Sequence, residues 1–150
     1  MEKRQKNIGL PVERAIQLER LRVAIGADSL SRVFRGLIES ARMAGLVTHD
    51  LPGVEVRRAT DGLAVKFDGG THEGLSFDQA ADLARHLRAF SVGENLRTVE
   101  AVEGVYHVNN AGRGVQVSLG ADSTCERIFA RDVLLDLADL LDHAAKPVPA

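Results

Sequence analysis

Aromatic residues and cysteine are scarce in this chain of 150 residues. With no Trp, one Tyr and five Phe, a core must be built mainly from Leu, Val, Ile and Ala. The single cysteine, Cys125, excludes an intrachain disulfide and cannot form a Cys-rich zinc site alone. No apolar run approaches the roughly 18 residues that span a bilayer. The N-terminal residues also lack the apolar stretch of a secretory signal, so we expect a cytoplasmic protein with no membrane partner.

The net charge of −2 conceals a division along the chain. Residues 1–47 contain nine Lys or Arg and five Asp or Glu, a net charge of +4. Residues 48–150 contain ten basic and sixteen acidic side chains, a net charge of −6. The basic N-terminal segment indicates an anionic partner, either nucleic acid or an acidic protein.

The N-terminal segment has the pattern of one strand followed by two helices. Residues 4–10 are predicted to form a short strand, which ends before Pro11, a residue suited to the first turn of a helix. The first helix is predicted over 11–25, and Gly26 ends it. A second helix, capped by Asp28 or Ser29, carries the clearest apolar stripe in the chain and ends near residues 44–45. That stripe consists of Leu30, Val33, Phe34, Leu37, Ile38 and Ala41.

This segment is too small to be expected to fold alone. A unit of about 45 residues rarely buries enough apolar surface, and its single strand has two unpaired edges. Dimerisation answers both difficulties, because two strands can pair into a ribbon and four helices can bury their stripes together. A two-stranded ribbon also fits the major groove of DNA.

Residues 4–45 resemble the ribbon-helix-helix family, the Arc/MetJ class of DNA-binding proteins. The resemblance rests on Ile8-Gly9-Leu10-Pro11, on the fifteen-residue step from Pro11 to Gly26, and on the turn Gly26-Ala27-Asp28-Ser29. It continues through the helix that contains residues 31–40 and closes at Gly45. It covers under a third of the chain and implies an intermolecular ribbon that reads base edges.

The resemblance implies a role for each of three sets of residues. The exposed ribbon face contains the base-reading positions, and an Asn or Gln amide there can bond to adenine N6 and N7. Gly9 departs from the family pattern, which places a long polar or basic side chain at that position. The second set contacts phosphates or flanks the ribbon, partly through the N–H groups at the start of the second helix. The third set forms the dimer core. The base-reading residues are Gln5, Asn7 and Gly9; the phosphate or flank residues are Lys3, Arg4, Lys6, Ser29 and Leu30; the dimer core is Ile8, Leu10, Leu18, Leu21, Val33, Phe34, Leu37 and Ile38.

The remainder of the chain is predicted to contain two ββα-like repeats. Residues 62–67 align with 114–119 at an offset of 52, and residues 78–84 align with 132–138 at an offset of 54. The predicted fold class is α+β: a ribbon-helix-helix domain over 1–47, a linker over 48–52, a small α+β domain over 53–145 and a disordered tail over 146–150. Chance similarity between two hairpin-then-helix units is the alternative to duplication.

The sequence contains no pattern typical of an enzyme. Cys125 falls in a polar segment predicted as a loop, and the five histidines lack metal-ligand spacing. Asp132, Asp136, Asp139 and Asp142 form an acidic stripe on the last predicted helix. We expect no catalytic residues, no metal and no cofactor.

The predicted function is sequence-specific binding of double-stranded DNA, most simply as a transcriptional repressor. The expected partners are DNA, a second copy in a homodimer or higher oligomer, and a protein or ligand at the acidic C-terminal domain. The family also includes antitoxins, plasmid segregation factors and accessory proteins of DNA transfer, and the sequence does not separate these uses. The alternative is a dimeric protein–protein adaptor without sequence-specific DNA recognition.

Overall fold

The computed structural model describes residues 6–92, 97–101, 104–120 and 125–147. The chain divides into two compact units, an N-terminal unit over Met1–Thr48 and a C-terminal unit over His49–Ala150. The fold class is α+β, as predicted, with four helices in the described residues. None of these helices combines the length and the apolar character needed to cross a bilayer.

The N-terminal unit consists of two helices of equal length, α1 (Val12–Ile25) and α2 (Leu30–Met43). Gly26 ends α1 in the left-handed conformation, at φ 71°, which a glycine adopts without a steric cost. The predicted choice of caps for α2 is settled in favour of Ser29, whose side chain accepts a hydrogen bond from the Arg32 N–H.

The predicted strand over residues 4–10 is not formed in residues 6–10, which have no regular secondary structure and are exposed. A strand is defined by the hydrogen-bond ladder that it makes with a neighbour. Within one chain, the described residues provide no neighbour for this segment. The ribbon therefore remains a prediction about a dimer.

The C-terminal unit contains two antiparallel sheets and two helices. Its first half places three strands before a helix, and the sheet has the order β1-β2-β3. Its second half has four strands before a helix, in the order β4-β5-β6-β7. The elements are β1 (Val54–Arg58), β2 (Gly62–Phe67), β3 (Glu73–Ser76), α3 (Phe77–Ser91), β4 (Val99–Glu100), β5 (Tyr106–Ala111), β6 (Gly114–Leu119), β7 (Cys125–Phe129) and α4 (Val133–Ala145).

Both predicted hairpins and both helices are present, but the ββα description omitted the last strand of each half. β3 and β7 follow polar segments, and the strand β4 has only two residues. Ser76 caps α3 in a capping box with Gln79. Asp132 makes no side-chain cap hydrogen bond to α4.

The two halves share one strand register at the predicted offsets. Leu63 lies opposite Leu75 in the first sheet, and Val115 lies opposite Phe129 in the second. Val115 follows Leu63 by 52 positions and Phe129 follows Leu75 by 54, so the same pairing is repeated. The two halves therefore share the strand pairing that the predicted repeat implies.

One hydrophobic core joins the two halves. Leu63, Val65 and Phe67 from β2 and Val115, Val117 and Leu119 from β6 belong to the same cluster as the buried faces of α3 and α4. Neither half has enough buried side chains to fold alone, so the halves stabilise each other. Leu51, in the predicted linker, is also buried, and its carbonyl accepts a hydrogen bond from the Val54 N–H.

Candidate nucleic-acid interface

The predicted base-reading segment is exposed where the structure describes it. Lys6, Asn7 and Gly9 are all exposed, whereas Gln5, Lys3 and Arg4 lie outside the described residues. A Cβ atom built on Gly9 would meet no other atom within 4 Å. Nothing in the described part of its own chain therefore requires a glycine here, and the absent side chain leaves the backbone open to approach by another molecule.

The turn between α1 and α2 is held by an arginine. Arg22 Nη1 donates a hydrogen bond to the Ala27 carbonyl at 3.0 Å, and Arg22 Nη2 lies 2.6 Å from Glu19 Oε1. The Glu19 hydrogen bond raises the pKa of Arg22, which is charged at any physiological pH. These contacts fix the start of α2, where Ser29 is partly buried and Leu30 is exposed.

The start of α2 combines a positive dipole end with one nearby acid. Backbone N–H groups of the first helical turn point along the axis and attract an anion. Asp28 opposes this attraction, but its carboxylate lies 3.8 Å from the Arg32 Nε and is 82% exposed. Arg32 thus balances the charge of Asp28 beside the predicted phosphate position.

Most of the exposed large hydrophobic side chains belong to the N-terminal unit. In the described residues, thirteen of the fifteen lie between Ile8 and Val47. Val33 is the one buried residue among residues 6–48. An exposed apolar surface of this extent is unusual on a monomer.

Five of the eight predicted dimer-core residues belong to that exposed apolar surface. Phe34, Leu37 and Ile38 on α2 are 42%, 47% and 46% exposed. Ile8 and Leu10 are exposed at 80% and 46%. Leu18 and Leu21 on α1 are half-buried, and Val33 is buried within its own chain.

In the C-terminal unit, several titratable side chains lie around Asp82. The Tyr106 hydroxyl donates a hydrogen bond to Asp82, Arg85 forms an ion pair with it, and His86 Nε2 lies 3.6 Å from its carboxylate. The Tyr106 hydrogen bond and Arg85 lower the pKa of Asp82, while burial and Asp82 raise that of Tyr106. Both shifts move the groups away from neutral pH, so the cluster is poorly suited to acid–base catalysis.

The predicted acidic stripe of α4 is partly neutralised. Arg88 on α3 lies 3.0 Å from Asp139 Oδ1 and 2.5 Å from Asp142 Oδ2. Two of the four aspartates therefore join α3 to α4, which weakens the case for this stripe as a docking surface for a basic partner.

The loop prediction for Cys125 was wrong, because this residue begins β7 and is fully buried. Two polar residues precede Cys125 in the sequence and two follow it, so the alternation of apolar and polar residues that predicts a strand is not visible there. Burial raises the pKa of the thiol, which disfavours the thiolate form at neutral pH. His49 and His143 stack at 5.1 Å, and the described residues contain no group of three or more potential metal ligands.

Comparison with protein-family models, with curated proteins and with solved structures finds no match to this chain.

Proposed function

We propose that this protein is a dimeric, sequence-specific DNA-binding protein of the ribbon-helix-helix type that acts as a transcriptional repressor. The observation that carries the proposal is the exposed apolar stripe of α2, with Phe34, Leu37 and Ile38 each nearly half exposed. Such a stripe on a two-helix unit with one buried side chain favours a second copy as its cover.

Dimerisation supplies the geometry that DNA recognition needs. Two copies of the segment before Pro11 pair as an antiparallel ribbon, which places alternate side chains on one face. Gln5 and Asn7 then project from the ribbon toward base edges, and Lys6 lies at its flank. Gly9 lets the ribbon backbone approach the groove, and the start of α2 at Ser29 and Leu30 meets a phosphate.

The test begins with selection of bound sequences from a random DNA pool by the full chain. On the selected site, Gln5→Ala and Asn7→Ala are each expected to weaken binding by about 1–3 kcal/mol, roughly five- to 150-fold. The matched control is the double variant Gln116→Ala, Asn109→Ala, which removes one Gln and one Asn side chain from the C-terminal unit instead. Affinity is measured by fluorescence anisotropy at several salt concentrations, since phosphate contacts make binding salt-dependent.

A second variant tests the dimer. Phe34→Glu places a charge in the proposed interface and is expected to abolish both the N-terminal dimer and DNA binding. Unchanged affinity of the Gln5→Ala, Asn7→Ala double variant for its site would refute base reading by the ribbon. If the wild-type chain enriches no DNA sequence but forms a dimer that Phe34→Glu disrupts, the result would instead support the protein–protein adaptor.

A further inference from the structure

The outer edge of β1 carries backbone groups that point away from its sheet. The Ala59 N–H donates to the Gly62 carbonyl, and the Asp68 N–H donates to the Gly53 carbonyl. Hydrogen-bonded pairs alternate along an antiparallel ladder, so the backbone N–H and C=O groups of residues 53, 55, 57 and 59 point toward β2. The backbone groups of the residues between them face outward. We call these groups, on Val54, Val56 and Arg58, the β1 edge.

The second half of the C-terminal unit shows how an equivalent edge is occupied. Val108 on β5 occupies the position of Val56, 52 residues later, and Val99 on β4 pairs with it in antiparallel register. In the first half, β1 is the outermost strand of its described sheet. The Val54 N–H on this edge donates to the Leu51 carbonyl, and the part of the edge that includes Val56 and Arg58 is a template for another strand.

The sequence of β1 is complementary to itself when read in the opposite direction. In an antiparallel pair centred on Val56, Glu55 of each copy lies opposite Arg57 of the other. Both side chains lie on the face of the sheet away from the core, where Glu55 Oε1 and Arg57 Nη2 are already 2.6 Å apart within one strand. Opposite charges directly across a strand pair stabilise it, whereas like charges destabilise it.

We propose that β1 pairs with β1 of a second copy, which joins two C-terminal units into one continuous six-stranded arrangement of their β1-β2-β3 sheets. Val56 exchanges both of its backbone hydrogen bonds with Val56 of the second copy. The Arg58 N–H donates to the Val54 carbonyl of the second copy, and the two-fold axis repeats this bond. The Val54 N–H keeps its bond to the Leu51 carbonyl.

This contact is independent of the proposed N-terminal dimer. A chain with two separate two-fold interfaces assembles beyond a dimer, either as a closed tetramer or as an open series. The β1 pairing involves a short strand, so the association is expected to depend on protein concentration.

The experiment measures the mass of the full chain by sedimentation at several concentrations. Arg57→Glu places two glutamates opposite each other and is expected to reduce the assembly to a dimer. The double variant Glu55→Arg, Arg57→Glu restores opposite charges across the pair and is expected to recover it. Arg113→Glu, at an exposed turn of the second sheet, makes the same change of charge elsewhere and serves as the control.

A backbone variant provides a second criterion. Val56→Pro removes the outward N–H at an edge position where proline is tolerated, and it is expected to prevent the pairing while the signal of buried Tyr106 persists. Equal masses for the wild type, Arg57→Glu and Val56→Pro at every concentration would overturn the proposal.

Failure of the proposed function gives a different result. If the N-terminal unit does not dimerise, Phe34→Glu leaves the mass unchanged and Arg57→Glu converts a dimer to a monomer. If β1 does not pair, Phe34→Glu alone yields a monomer and Arg57→Glu has no effect. The two interfaces are thus separated by two single substitutions.

Discussion

A methyl group added at Gly62 tests the close approach of β2 and β3. A Cβ atom built on Gly62 would lie 2.1 Å from the Leu75 carbonyl oxygen and 3.0 Å from the Leu75 carbonyl carbon. The obstruction is backbone, so it cannot move aside as a side-chain rotamer can. To reach ordinary contact, the strands must separate by more than about 1 Å, which weakens the ladder as well as the packing. We expect Gly62→Ala to lower the free energy of unfolding by about 3 kcal/mol or more.

Two other glycines provide a comparison for the loss of stability expected at Gly62. At Gly114, the counterpart of Gly62, an added Cβ meets Ile128 Cγ2 at 2.8 Å and the Phe129 carbonyl oxygen at 2.9 Å. At Gly74, in β3, it meets nothing within 4 Å. Gly114→Ala is expected to cost about 1–2 kcal/mol, and Gly74→Ala to be neutral or to stabilise by up to about 1 kcal/mol through reduced entropy of the unfolded chain.

The assay is urea unfolding followed by near-ultraviolet circular dichroism of the single tyrosine. Tyr106 is 1% exposed, and the chain has no Trp, so this signal reports the C-terminal unit specifically. Equal midpoints and slopes for Gly62→Ala and Gly74→Ala would refute the argument. An order in which Gly114→Ala is the most destabilised would show that the Leu75 backbone yields more easily than the Phe129 backbone.

Two further predictions concern the same unit. Arg58 Nη1 donates to the carbonyls of Ala144, Ala145 and Lys146 at 3.2, 2.6 and 2.9 Å. Arg58→Met is therefore expected to lower the free energy of unfolding by about 1–2 kcal/mol in urea unfolding. An equal loss for Arg113→Met, at an exposed turn of the second sheet, would contradict a specific role for Arg58. Burial and Asp82 raise the pKa of Tyr106, so the unfolded chain loses this proton first and stability falls as pH rises above about 10. Tyrosinate absorbance is then expected to appear together with loss of the near-ultraviolet signal; a tyrosinate that forms while the native signal persists would contradict this.

The sequence predicted those elements that have a clear period. The stripe of α2 identifies that helix because its apolar side chains lie on one face, and β2 and β6 are identified by the alternation of apolar side chains along each strand. β3 was missed because Gly74 and Ser76 surround one buried residue, Leu75, in four positions. Such a strand is stabilised by its neighbour β2 rather than by its own pattern.

The N-terminal prediction differs in kind from the others. The helices depend on local features such as Gly26 and Ser29, which act within one chain. The ribbon depends on a second copy, so no property of residues 6–10 in one chain can form it. The sequence left the cap of α2 open between Asp28 and Ser29, and the structure assigns it to Ser29, whose hydroxyl accepts the hydrogen bond of the Arg32 N–H.

In each half of the C-terminal unit, an arginine donates a hydrogen bond to a carbonyl near the end of the other half's helix, but the two arginines occupy different positions. Arg58 reaches the Ala144 carbonyl, and Arg131 Nη1 donates to the Phe90 carbonyl at 2.9 Å. Ala144 follows Phe90 by 54 positions, so each half secures the same point near the end of the other half's helix.

Each arginine also contacts the residue that occupies the position of the other arginine in its own half. Arg58 lies over the ring of Phe77, whereas Arg131 Nη2 donates to Asn110 Oδ1 at 2.7 Å. Arg131 occupies the position that corresponds to Phe77, and Asn110 occupies the position that corresponds to Arg58. The arginine therefore lies at the strand in the first half and before the helix in the second half. The helix ends need a donor, because their last carbonyls have no partner within the helix. The same contact is thus made from two different positions, which indicates that each half stabilises the end of the other half's helix whichever position carries the arginine.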